Sequence, residues 1–118
     1  MRTGTILRAM VVVALVLPIR QATAADCGDI EAKIAAAKTA ADHEAIAACY
    51  DDMAKQAQAK ATEHEQMRAA YRKTAGVGAS KGLNMPQHCD SFIKTYKSEA
   101  KMYEEMAAAH RQMAKNAK

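Results

Sequence analysis

The chain has 118 residues, with 17 basic against 13 acidic side chains, 4% aromatic residues and no tryptophan. A chain of this length holds one domain with a modest core, which excludes multidomain machinery. Its net charge of +4 would suit an anionic partner, but Arg2, Arg8 and Arg20 all lie in an N-terminal segment that reads as removable. Their loss leaves about +1, so nucleic acid is not an expected partner.

That first segment, residues 1–25, has the layout of a secretory signal. Arg2 and Arg8 open it, an apolar stretch follows over 9–19, and Ala22, Thr23, Ala24 and Ala25 supply a small-residue cleavage region. Cleavage is expected after Ala24 or Ala25, delivering 26–118 as a single helical domain to the periplasm or beyond. As a membrane anchor the stretch is too short, about half the ~20 residues that a spanning helix needs, and Pro18 with Arg20 closes it. A lipid anchor on Cys27 is disfavoured because Asp26 stands where a small residue is wanted.

Beyond the signal, Ala, Glu, Lys, Gln and Met dominate, and neither Gly nor Pro occurs over 29–75, so the intrinsic preference is helical and no segment favours a strand. The first helix is expected at about 29–39, capped by Asp26 or Asp29, with Ile30 and Ile34 on one face. Around 39–42 the chain turns or bends, and Thr39 or Asp42 is the next cap candidate. A long amphipathic helix follows over about 42–74, its seam running through Ile46, Tyr50, Met53, Ala57, Ala61, His64, Met67 and Tyr71 in alternating steps of three and four.

Gly76, Gly78, Gly82 and Pro86, with Ser80 and Asn84, give 75–86 the chemistry of a loop. The last helix, about 86–116 with Asn84 as cap, carries Cys89, Phe92, Ile93, Tyr96, Ala100, Tyr103, Met106, Ala107, His110 and Met113 on its seam. The expected fold is therefore all-α: a short helix followed by a long antiparallel hairpin, in a three-helix arrangement. With so few Leu, Ile or Phe, the first helix, a partner helix or a second chain is needed to complete the core.

The two long helices look like copies. Shifting the chain by 46 positions lays Tyr50, Ala54, Lys55, Ala61, His64, Gln66 and Met67 on Tyr96, Ala100, Lys101, Ala107, His110, Gln112 and Met113. Composition alone matches alanines, but aligned Tyr, His and Met point to an internal duplication.

All four histidines lie on this hairpin. In an antiparallel pair, residues at one height have residue numbers with a constant sum, and the sums for His43 with His110 and for His64 with His88 differ by one. Two cross-helix imidazole pairs are expected, one at the open end and one beside the loop. Around the second, Cys89, Met67 and Met85 complete a thiol, thioether and imidazole set of the kind that takes copper or zinc. His64, His88 and Cys89 form the core of that candidate metal site, with Met67 and Met85 as helpers; His43 and His110 form a second candidate pair. The competing reading makes each histidine a seam residue hydrogen-bonded to Tyr, Glu or backbone, and Met53, Met102, Tyr50 and Tyr96 packing residues.

Sharper catalytic signals are missing. His43-Glu44 and His64-Glu65 begin an HExxH pattern but Ala47 and Arg68 end it, there is no CxxC, and the glycines at 76, 78 and 82 follow no strand. A non-enzymatic role is expected, in protein–protein interaction or envelope structure, with metal binding as the alternative. Of the three cysteines, Cys27 folds back to within a turn of Cys49 if the chain reverses near residue 40, whereas Cys49 and Cys89 lie too far apart in the hairpin register to pair. Cys89 is then the odd thiol.

The stretches Asp42-His43-Glu44-Ala45-Ile46-Ala47 with Tyr50, Glu63-His64-Glu65, and His88-Cys89-Asp90 through His110-Arg111-Gln112-Met113 resemble small exported Ala-rich helical proteins of Proteobacteria. The resemblance spans roughly 41–115 and implies an exported helical hairpin, with no activity attached. The chain is also similar in style to periplasmic hairpins that sense metals or act as stress chaperones, but lacks their LTxxQ pattern.

Overall fold

The computed structural model describes residues 27–74 and 84–117; the signal-like segment and the glycine-containing loop lie outside the described residues. Helix α1 spans Ile30–Ala36, α2 spans Ala40–Thr74 and α3 spans Met85–Asn116, with no strand among the described residues. Each start is chemically marked. The Asp29 carboxylate accepts from the Ala32 N–H at 3.0 Å and the Asn84 side chain accepts from the Gln87 N–H at 3.2 Å, both as N-caps.

The break between α1 and α2 has a cause that needs neither Gly nor Pro. Thr39 Oγ1 accepts from the Asp42 N–H at 3.1 Å, while Asp42 Oδ2 accepts from the Lys38 and Thr39 N–H groups at 2.9 Å each. This is a reciprocal capping box, with Asp in place of the usual Glu. The two backbone donors hold the Asp42 carboxyl below its ordinary pKa.

Helices α2 and α3, of 35 and 32 residues, pack side by side in opposite directions over roughly 45–50 Å at ~1.5 Å per residue. Their seam is built mainly of alanine. Ile46, Ala47, Tyr50, Ala54, Ala57 and Ala61 on α2 meet Cys89, Ile93, Ala100, Ala107, His110 and Ala114 on α3, all buried. Small side chains let the backbones close together, which pushes larger ones to the rims. Phe92, Met106 and Met113, expected on the seam, therefore stand 49%, 43% and 48% exposed, and Tyr71 is 38% exposed.

The two rims differ. One is closed by polar pairs repeating every seven residues on both helices: Asp51 with Arg111, Gln58 with Glu104 at 2.9 Å, Glu65 with Lys97 at 2.7 Å and Arg72 with Asp90 at 4.0 Å, the last reinforced by Arg68 on Asp90. The Arg111–Asp51 pair is a two-toothed fork. Each exposed pair contributes at most about 1 kcal/mol, but the heptad repetition fixes the register of the hairpin. The other rim carries Met53, Lys60 and Met67 on α2 and Phe92, Glu99, Met106 and Met113 on α3, also seven apart.

Helix α1 packs on α2 at the open end and leaves Met106 and Met113, on the α3 side of this rim, exposed. A disulfide ties Cys27 to Cys49, with Cα atoms 5.5 Å apart, and Ile30, Ala37, Met53 and Tyr103 pack against the cluster of Ile46, Ala47, Tyr50 and Ala107. The expected pairing holds, and Cys89 is left free and buried.

Candidate functional site

The duplicated residues make equivalent contacts at opposite ends of the hairpin. Tyr50 stacks on His110 with ring centroids 5.7 Å apart, and the shifted pair, Tyr96 on His64, stacks at 5.5 Å. Gln58 and Glu104, which the shift superposes on each other, bond at the midpoint of the polar rim. The two Tyr–His stacks thus sit on either side of that pair, as antiparallel helices with a repeated pattern would place them.

At the open end, the Nδ1 atoms of His43 and His110 lie 3.1 Å apart and the ring centroids 5.4 Å apart. The centroid separation equals the nitrogen gap plus one ring radius on each side, so the rings aim their nitrogens head-on. That is the alignment of an N–H···N hydrogen bond, one imidazole donating and the other accepting. An ion bonded to both at about 2.0 Å would need the lone pairs to converge on a point beside the line between them, not along it. The expected pairing of His43 with His110 is realised, as a hydrogen bond.

His110 is only 6% exposed. Burial, then the neighbouring His43, lowers its pKa from the ordinary 6.5. Other groups nearby are already committed: Asp42 to the capping box, Arg111 to Asp51, and Tyr103, whose hydroxyl donates to Glu99 at 3.0 Å, to that carboxylate.

At the loop end, the partner of His64 is not His88. His64 stacks on Phe92 at 4.6 Å and on Tyr96, while Lys60 Nζ lies 5.4 Å from the Tyr96 centroid. His88 is exposed, and Cys89, the next residue round the helix, is buried. The correction has a geometric cause. Successive helical residues point about 100° apart, so a one-residue difference in register moves a side chain from the seam to solvent. The 46-residue shift carries His43 onto Cys89, so the sequence counterpart of His43 at this end is a cysteine.

His64 Nδ1 is buried without any hydrogen-bond partner. Met67 and Met85 are half-buried one turn nearer the loop. Among the described residues, no three His, Cys, Asp or Glu side chains group as a metal site, so the set of His64, His88 and Cys89 is not assembled as expected. Phe92, expected on the seam, and Tyr96, expected as a packing residue, form the aromatic wall beside His64; the repeat of Tyr50 at Tyr96 is the sequence signal for the Tyr96 contact.

The uncovered part of the second rim holds a groove of about 220 Å³ lined by Met53, Gln56, Ala57, Lys60, Glu99 and Tyr103. No described helix is long and apolar enough to cross a membrane. No protein-family model, curated protein or solved structure matches the chain.

Proposed function

We propose that this chain is an exported, non-enzymatic periplasmic protein whose hairpin receives a partner helix along its uncovered rim. The observation that carries this reading is the contrast between the rims. Four polar pairs close one of them over three heptads, while the other shows Phe92, Met106 and Met113 to solvent. Helix α1 shows what suits the open end: Ile30, with Ala37 just beyond the helix, packs against the cluster of Ile46, Ala47, Tyr50 and Ala107 beside Met53 and Tyr103. A partner helix of similar chemistry continues the same line past the groove, where Lys60 and Glu99 offer one charge of each sign for orientation.

A photoreactive residue at position 106, introduced into the exported protein in its own cells, tests this. Crosslinks to a second copy or to one discrete partner are expected, and Phe92→Glu with a reporter still at 106 should abolish them. A strictly monomeric protein that crosslinks to nothing, or crosslinks undiminished by Phe92→Glu, overturns the proposal.

A further inference from the structure

We propose that the partner received along the uncovered rim is a second copy of this chain, laid against the first in the opposite direction about a two-fold axis at the height of Lys60 and Met102. The inference rests on the partner-helix reading above and names the occupant. The outer face of α3 carries a second seam. Phe92, Glu99, Met106 and Met113 recur every seven residues, and Thr95, Met102 and Ala109 stand between them, so the steps alternate between three and four. The four large apolar members are 43–55% exposed. That spacing is the stripe of a helix packed on another helix, and α2 already occupies a different face of α3.

The stripe is complementary to its own reverse. Its ends, Phe92 and Met113, are equidistant from the Met102–Tyr103 step. The polar pairs Asp51 with Arg111 and Gln58 with Glu104 set the register that puts Lys60 level with Met102. Turning a copy about that height lays Phe92 of each chain by Met113 of the other and keeps Met102 at the centre.

Charge selects the reversed direction. Lys60 and Glu99 line one groove, within a helical turn of the axis. A reversed copy brings Lys60 of each chain towards Glu99 of the other, two equivalent ion pairs astride the axis, as an isologous interface requires. A copy laid in the same direction would set Glu99 against Glu99. It would also crowd both α1 helices, which pack on α2 at the open end, into one end of the pair.

The stripe is about 30 Å long at ~1.5 Å per residue, and a face two helices wide covers roughly 600 Å² per copy. That is the lower end of specific interfaces. The dimer is therefore reversible, with dissociation in the micromolar range.

Sedimentation of the exported protein, purified from the cells that make it, tests this. The parent should show a monomer–dimer equilibrium. Lys60→Glu and Glu99→Lys should each weaken it by at least about tenfold, because each sets like charges across the axis. An equimolar mixture of the two variants should associate as the parent does, since both ion pairs re-form with their signs exchanged. Met102→Glu, exposed and on the axis, should abolish dimers with helicity by circular dichroism unchanged. A parent that stays monomeric well above micromolar concentration overturns the proposal, as do single variants that associate like the parent or a mixture that stays monomeric. A monomeric parent that still crosslinks through position 106 to a different protein overturns the self-pairing alone; one that crosslinks to nothing overturns the partner-helix reading with it.

Discussion

The two ends of the hairpin share a histidine stacked on a tyrosine but differ in what meets that histidine. At the open end, His110 meets His43 across the seam and Tyr50 covers it; at the loop end, His64 lies against Phe92 and Tyr96. An imidazole opposite an imidazole satisfies both nitrogens with a single proton between them. At the loop end no imidazole meets His64, and its Nδ1 is unsatisfied. One alanine seam and one heptad of polar pairs hold the register through both ends, whatever meets the two histidines.

The ends differ also in how they are held. The open end has α1 and the disulfide, and the largest expected effect comes from removing that tie. Closing a 22-residue separation is worth about 3 kcal/mol in the chain-entropy account. The double variant Cys27→Ala with Cys49→Ala should lose about that much in denaturant unfolding. Amide exchange should quicken over 40–53 and 103–114 and stay unchanged over 60–70. Uniform loosening of both ends would break the distinction.

A smaller effect isolates the imidazole pair. His43→Ala leaves a buried His110 nitrogen without its partner, so at pH 8 a loss of about 1–3 kcal/mol is expected. The open end then comes to resemble the loop end. Acid should act in the same direction on the parent chain. The folded His110 pKa is lowered below 6.5, chiefly by burial, so the native state binds fewer protons than the unfolded chain between those two values. The His110 contribution is thus fully present above 6.5 and is lost as pH falls from 6.5 through the folded pKa. In His43→Ala one of the two causes is gone and burial remains, so the midpoint-against-pH curve below 6.5 should flatten without becoming level. An unchanged curve would show that His43 does not couple to His110.

Much of this was legible in the residues. The caps at Asp29, Thr39 with Asp42, and Asn84 set the starts of all three helices within a few positions, because the hydrogen bonds that define them are local. The pairing of Cys27 with Cys49 and the meeting of His43 with His110 followed from counting along helices that run side by side. What was not legible depended on single-residue register and on how closely the backbones approach. His88 and Cys89 are neighbours in the chain, and hairpin counting alone did not decide which of them looks inward. Phe92, Met106 and Met113 are more apolar than the alanines beside them, yet the alanines form the seam, since tight helix contact selects small side chains over hydrophobic ones.

The most direct test of the shared register is nitrogen-15 spectroscopy of the histidine rings above pH 7.5. His43 and His110 should show a scalar coupling between their Nδ1 nuclei, transmitted through the N–H···N hydrogen bond, and His64 should show none. Four uncoupled histidines would contradict it.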